Sequence, residues 1–481
     1  MLKRGGIWIF CCAVFSADGF FLSLASADGL PQPVLAALKR AQIAPANLAV
    51  FAQRQDQALP AITHNPAKAM SPASVMKLVT TYAALDMLGP AYTWRTEIVS
   101  DAALENGILK GNLYIKGSGD PKITLERFWL WLRELRDGGV TTITGDVVLD
   151  QSLFDVPVEN VIDDDPLRAY NTEPRALLVN FNSIRLRIDT NRSERVNVDM
   201  LPTLPILHIE NRLKAKPGRC DAWRENLTSR MVQSATGPTL ELTGSFPRNC
   251  ADREMRLNVL PPELYIGELF KTLWRELGGK FDGVVRVATA PKTARVVAGF
   301  DSEPLATVIR DINKFSNNLM ARQLLLSLAA RGAVPATPRA GAEAIGKWLA
   351  ARNLLLPDLI IENGSGLSRR ERISAEGLAR VLGDAYRHPF STEFIGSLPI
   401  AGIDGTMKTR LLNTPAASYA RIKTGALENV RSIAGYVIDR SRNVWIVVAM
   451  VNDAAAQNAM PVFNALLLGL QGQGAGKLAA P

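Results

Sequence analysis

Histidine is scarce: His64, His208 and His388 are the only three in a chain of 481 residues, and they stand far apart in unlike contexts. A Ser-His-Asp triad or a zinc site is therefore poorly supplied, and the three read as surface or packing residues. Long apolar runs are missing too. After residue 30 no stretch approaches the roughly 20 uninterrupted apolar residues that a membrane-spanning helix needs. Cysteine is rare, with four in all, and Cys11 and Cys12 lie so near the start that only Cys220 and Cys250 fall in the body of the chain. The net charge of +9 comes from interleaved acidic and basic residues. With no basic cluster studded by aromatics, this composition argues against nucleic acid as a partner and for a solvated surface with a mild bias toward anions.

What is present is apolar mass. At 47% hydrophobic residues the chain can bury a large core and is long enough for about three domains. Its first residues have a different order: Lys3 and Arg4, an apolar run from Ile7 to Phe15, a second from Phe20 to Leu24, then Ala25-Ser26-Ala27. That order predicts a secretory signal peptide over residues 1–27, cleaved after Ala27, in preference to a membrane anchor, and hence a periplasmic or otherwise extracytoplasmic protein. In an oxidising compartment Cys220 and Cys250 can pair, which is worth about 3–4 kcal/mol in the chain-entropy model, or they stay as buried free thiols.

The texture changes along the chain. "LAVFA" at 48–52 reads as a strand and is followed by a helix around residues 72–88, with Ser71 as its N-cap, Pro72 in its first turn and Gly89-Pro90 as its stop. From about 96 to 289 short β-prone runs with Asn-Gly and Gly turns dominate, interrupted by amphipathic helices near 125–135 and 264–277, each followed by Gly-Gly and a strand. After about 300 the chain is helix-rich, and "SIAGYVID" and "NVWIVVAMVND" form a closing hairpin before a last helix and a Gly-rich tail at 472–481. The expected architecture is an α/β domain built from 28–95 and 290–471, split by a β-rich insertion over 96–289.

One lysine is out of place. Lys77 stands three residues after Ser74 inside the apolar run "MSPASVMKLVTTYAAL". On a helix the two share a face, and desolvation by Val75, Met76, Leu78 and Val79 lowers the pKa of the amine, so that it can accept the serine proton. Ser-x-x-Lys alone is common. Downstream, however, come Ser316-Asn317-Asn318 just before a helix and Lys423-Thr424-Gly425 in a β-prone run. In that order the three motifs match the penicillin-interacting serine acyltransferases. The chemistry then assigns roles: Ser74 attacks a carbonyl, Lys77 takes its proton, Ser316 relays it to the leaving amine and Asn318 holds a substrate amide. Lys423 and Thr424 engage a terminal carboxylate, Gly425 lets the substrate strand come close, and the backbone N–H groups of Ser74 and Ala426 form an oxyanion hole.

The chain resembles the D-alanyl-D-alanine carboxypeptidase/endopeptidases of the class C low-molecular-mass penicillin-binding proteins. The likeness extends to "GSGDP" (117–121), "ENGSGLSR" (362–369), "SLPIAGIDGTMKTRL" (397–411) and "KTGALENVRSIAGYV" (423–437), and so spans nearly the whole mature sequence. It implies a transpeptidase-like domain with an antiparallel sheet, two domains inserted after the Ser-x-x-Lys helix, peptidoglycan stem peptides and crosslinks as substrates, β-lactams as acylating inhibitors, and no metal or organic cofactor. Cys220 and Cys250 fall where some members carry a disulfide. Departures are small. Ala426 stands where many relatives have Thr, although the role given it needs only its N–H, and Asn317 stands where related acyltransferases often have Asp.

Two other functions compete with this one. A serine β-lactamase would need a water-activating carboxylate, for which Glu362 is the candidate, yet it has no use for a large insertion. A non-catalytic wall-binding or sensor protein would be expected to have lost part of the site, whereas Ser74, Lys77, Ser316, Asn318 and Lys423 are all present. The inserted domains suit binding of wall polymers or partner proteins, and the sequence leaves peripheral membrane association and oligomeric state open.

Overall fold

The computed structural model describes residues 29–157, 167–190, 195–235, 237–332 and 334–472. The signal peptide expected over residues 1–27 and the tail from residue 473 lie outside these.

The sheet that organises the molecule comes from the two ends of the chain. Strand β1 (Leu48–Arg54) pairs with β2 (Ile62–His64) and, across some four hundred residues, with β5 (Val444–Asn452); β3 (Ala420–Leu427), β4 (Val430–Ile438) and β5 follow as an antiparallel meander, so the order is β2-β1-β5-β4-β3. Side chains alternate across a strand, and here both faces are covered. Ala49, Phe51, Tyr436, Val448 and Met450 pack into a helical layer of α2 (Lys77–Leu88), α3 (Leu305–Phe315), α4 (Asn318–Ala330) and α5 (Ala375–Arg387). Leu48, Val50, Val437, Val447 and Val451 face α1 (Gln32–Ala41) and α6 (Met460–Gly472) on the other side. This is why the strands read as continuous apolar runs rather than as alternation. Every residue from Lys77 to Leu85 is buried, which makes α2 a central helix with no solvent face.

The insertion holds two further units. In one, strands Arg95–Ser100, Leu113–Lys116, Val147–Asp150, Val285–Val287 and Arg295–Asp301 form a five-stranded sheet packed by helices Leu125–Asp137 and Pro262–Glu276. The strands after the two helices pair in parallel, Val285–Val287 with Val147–Asp150, so the similar sequence texture around them is matched in space. Residues 295–301 join this sheet through Arg95–Ser100, which carries the insertion's pairing past the boundaries of 95 and 290 drawn from composition. The second unit has strands Ile184–Asp189, Asn197–Leu201 and Arg253–Leu257 beside a four-stranded sheet that includes Gly237–Pro247. Cys220 and Cys250 form a disulfide there, with Cα atoms 5.4 Å apart.

The insertion docks on α4. Arg322 Nη1 donates to Thr172 O (3.1 Å) and Gln323 Nε2 to Arg175 O (3.1 Å). The helix that begins with Asn318 thereby brings part of the insertion to the mouth of the cleft.

Candidate active site

The site begins with a turn. Ala73 takes a left-handed conformation (φ +46°), which costs a residue with a Cβ roughly 1–2 kcal/mol. A single 3₁₀ turn, Ala73–Met76, then leads into α2 and leaves Ser74 the only residue of 71–80 that is not buried. The N-cap expected at Ser71 is not formed. Its hydroxyl is buried without a partner, and its backbone N–H and C=O pair instead with the side chain of Asn452 at 2.8 and 3.1 Å. Pro72 and the 3₁₀ turn intervene before α2 starts at Lys77, so Ser71 stands too far upstream to cap that helix.

Two glycines let other segments press on this turn. At Gly425 of β3 a Cβ would strike Ser432 Oγ and lie 2.8 Å from Pro72 O and 3.0 Å from Ser74 N. Close packing of β3 on the nucleophile turn is thus a reason for glycine there besides the substrate approach expected from sequence. At Gly366 (φ +82°) a Cβ would collide with the carbonyl of Ala73, so the loop of "ENGSGL" lies directly on the turn.

Lys77 is completely buried. Its Nζ lies 2.9 Å from Ser74 Oγ, 2.5 Å from Asn318 Oδ1 and 2.5 Å from Ser365 O. Burial drives its pKa well below the usual lysine value, the charge of Lys423 adds to that, and Glu371 opposes it. Ser316 ends α3 in a left-handed conformation (φ +58°), between two helices. Asn317 caps α4 through Met320 N (3.0 Å), and Asn318 opens the helix with its amide at Lys77. The second motif is therefore a helix break in which the middle residue is the cap and the outer two face the cleft.

From the opposite wall, Lys423 Nζ donates to Ser316 Oγ (2.8 Å) and to Thr424 O (2.7 Å). Lys423 is also fully buried, which pushes its pKa down to about 7. Thr424 Oγ1 donates to Thr406 Oγ1 at 2.8 Å. Ser74, Ser316, Asn318, Thr424 and Ala426 line one cavity of about 1200 Å³. The three motifs thus converge on one cleft, with Ser74 and Ala426 both on its wall as an oxyanion hole requires.

Several groups at the site were not anticipated from sequence. Glu371 is fully buried behind Lys77; its Oε1 accepts from the N–H groups of Glu362, Asn363 and Gly364 at 2.9–3.0 Å, and burial raises its pKa to about 7. In "SRRERIS" it reads as one member of a solvated charge run. Glu362, the candidate water activator of a β-lactamase, does not line the cavity, and its carboxylate is held by Ser368 and Arg370. Arg168 and Tyr170 reach the cavity from the insertion and line it together with Arg369 and Arg372, and no local pattern marks them. His64 bonds Pro45 O and His388 bonds Asp86, and no cluster that could hold a metal ion occurs among the described residues.

An antiparallel sheet between two helical layers, with a serine and a buried lysine at the edge of the nucleophile turn, defines a penicillin-binding, serine β-lactamase-like fold. Solved structures agree with it. Penicillin binding protein 4 (dacB) from Haemophilus influenzae superposes with a TM-score of 0.77 at 23% identity, over 91% of this chain and 99% of its own. A predatory peptidoglycan endopeptidase from Bdellovibrio bacteriovorus does so with a TM-score of 0.51 at 16% identity, over 88% and 92%. In sequence, a D-alanyl-D-alanine carboxypeptidase from an Actinomadura strain is 30% identical over 391 residues, which is 76% of this chain and 70% of the relative. The chain belongs to the D-Ala-D-Ala carboxypeptidase 3 (S13) family, whose profile matches residues 31–467. It is a serine DD-peptidase.

Proposed function

We propose that the protein works through an acyl-enzyme on Ser74, with neutral Lys77 as the base, to remove the terminal D-alanine from peptidoglycan stem peptides and to cleave D-alanyl-meso-diaminopimelate crosslinks. The observation that most supports this is the 2.9 Å contact between Ser74 Oγ and the Nζ of a lysine with no exposed surface. A buried amine flanked by a second lysine favours its neutral form, and a neutral amine at that distance can take the hydroxyl proton as the oxygen attacks. The oxyanion then forms beside the N–H groups of Ser74 and Ala426. Lys77 then gives up that proton, relayed through Ser316, to the leaving amine; the C–N bond breaks and Lys77 returns to its neutral form, while Lys423 holds the Ser316 hydroxyl by donating to its Oγ. Water repeats the sequence on the ester, giving its proton to Lys77 and releasing the acid.

Asn318, its Oδ1 engaged by Lys77, presents its Nδ2 side to a substrate amide carbonyl. Lys423 and Thr424 hold the carboxylate next to the scissile bond. β-Lactams would acylate the same serine. Crosslink cleavage is supported by the room in the cleft and by Arg168, Arg369 and Arg372 on its wall, which suit the additional carboxylates of a second stem, as well as by the activity named for the Bdellovibrio protein. Export with residues 1–27 removed belongs to the same reading and rests on the basic, apolar and small-residue order from Lys3 to Ala27.

The test is product analysis by mass spectrometry with a stem pentapeptide and a crosslinked muropeptide dimer. Loss of one alanine from the first and conversion of the second to monomers, both abolished by Ser74→Ala, are expected. Turnover that survives in Ser74→Ala would overturn the assignment.

A further inference from the structure

Side chains two apart on a strand share a face, so Thr424 and Ala426 both look into the cleft, and both line it. Only one of them has a hydroxyl. β3 therefore offers a carboxylate a single side-chain hydroxyl beside the ammonium of Lys423, and a carboxylate has two oxygens to satisfy. The other wall of the cleft supplies a candidate. Thr406 lines the same cavity, with its Oγ1 2.8 Å from Thr424 Oγ1.

Thr406 is not on a loose loop. Gly405 before it takes φ +56°, and a Cβ there would come within 2.5 Å of Lys314 O, so the segment lies against the last turn of α3, two residues from Ser316. Lys314, itself buried, donates from Nζ to Asp404 Oδ2 at 2.7 Å, while Asp404 Oδ1 accepts from Ile400 N at 2.8 Å. Ala401 N donates to Ala420 O (2.9 Å) and Ile422 N to Pro399 O (2.8 Å), which fastens the start of the segment to β3. One segment thus bridges the strand carrying Lys423 and Thr424 and the helix ending at Ser316, and Thr406 is what it projects into the cleft.

We propose that Thr406 is a substrate-binding residue: the carboxylate adjacent to the scissile bond sits between the hydroxyls of Thr406 and Thr424, each donating to one oxygen, with Lys423 supplying the charge. The two hydroxyls bond each other at 2.8 Å, and both turn to the anion when it is held between them. The second hydroxyl absent from β3 at Ala426 is provided from the facing segment. Because this rests on the carboxylate role given above to Thr424 and Lys423, the test must separate the two.

The measurement is the second-order rate of acylation by benzylpenicillin and by its methyl ester, which lacks the carboxylate, for wild type, Thr406→Val, Thr406→Ser and Thr424→Val. A hydroxyl donating to a charged group is worth enough that Thr406→Val should slow the acid roughly tenfold or more. The ester rate should stay near wild type, and Thr406→Ser should behave as wild type with both. An unchanged acid rate in Thr406→Val, or equal losses with acid and ester, overturns the inference if Thr424→Val still slows the acid selectively. If Thr424→Val also fails to discriminate acid from ester, the carboxylate assignment itself falls, and the role of Thr406 with it.

Discussion

Lys77 Nζ and Glu371 form a buried pair of opposite character, with no exposed surface on either side chain, behind the nucleophile. The lysine touches Ser74 Oγ, Asn318 Oδ1 and Ser365 O, while the carboxylate binds the backbone N–H groups of residues 362–364 in the same loop that supplies Ser365. Glu371 thus shapes the loop that holds Lys77 and sets the field around its amine.

Removing the base is the simplest consequence to test. Lys77→Ala should lower the rate of acylation by benzylpenicillin by roughly a hundred- to ten-thousandfold, the range of a positioned general base. Acylation at the wild-type rate in this variant, followed by intact mass against time, would show that another group takes the proton.

Glu371→Gln keeps an oxygen for the three loop N–H groups and removes the charge. Glu371 and Lys423 are the charged neighbours that act on Lys77, the first raising its pKa and the second lowering it. Without the carboxylate the Lys77 pKa falls further. The acidic limb of the acylation profile, where Lys77 becomes protonated, should therefore move to lower pH. A limb that stays in place would make Glu371 a packing residue. Glu371→Ala, which leaves buried N–H groups unpaired, should cost about 3 kcal/mol of stability, read from denaturant unfolding.

Lys423 gives the opposite limb. With its pKa near 7, the free enzyme loses the ammonium as pH rises through that value, and capture of a carboxylate weakens. The rate constant for benzylpenicillin at low concentration, which reports the free enzyme, should decline above about pH 7, whereas that for the methyl ester should not. A parallel profile for acid and ester would contradict this. The sign for stability follows from the same shift. Between about 7 and the ordinary lysine value near 10.4, the unfolded chain binds a proton that the folded one refuses, so stability should increase with pH across that window and Lys423→Met should flatten the slope.

Much of this site was legible in the sequence and some was not, for definable reasons. The three motifs carry their chemistry in short, ordered stretches, and β1, β4 and β5 advertise themselves as unbroken apolar runs because both faces of the sheet are covered. Ser71 looked like a helix cap because the local pattern places a serine before a proline; the left-handed turn at Ala73 and the side chain of Asn452, far away in sequence, decide otherwise. Glu371 is charged in a stretch with three arginines within two residues of it, Arg369, Arg370 and Arg372, and nothing local tells that its carboxylate alone turns inward. Arg168, Tyr170 and Thr406 enter the cleft only because α4 docks on the insertion and because residues 399–407 bridge α3 and β3. Those are tertiary facts with no local periodicity.

Gly366→Ala tests the packing of the loop on the nucleophile turn. A Cβ there meets the Ala73 carbonyl and must adopt φ +82°, so a cost of about 2 kcal/mol or more is expected, together with at least a tenfold or so loss of acylation as Ser74 shifts. Wild-type acylation in this variant would show that the loop does not position the nucleophile.

The Cys220–Cys250 disulfide lies in the insertion rather than at the cleft. Replacing both cysteines by serine should cost about 3–4 kcal/mol in unfolding free energy by the loop-entropy estimate, while the acylation rate at 25 °C stays within about twofold of wild type.

The central claim is that Ser74 is the acylated nucleophile. Its most direct test is the intact mass of the mature protein after incubation with benzylpenicillin, with Ser74→Ala alongside and the fate of the drug followed in the same tube. The account predicts one penicilloyl adduct on the wild type and none on the variant; an adduct of equal extent on both, or intact drug and unmodified wild-type protein, would contradict it.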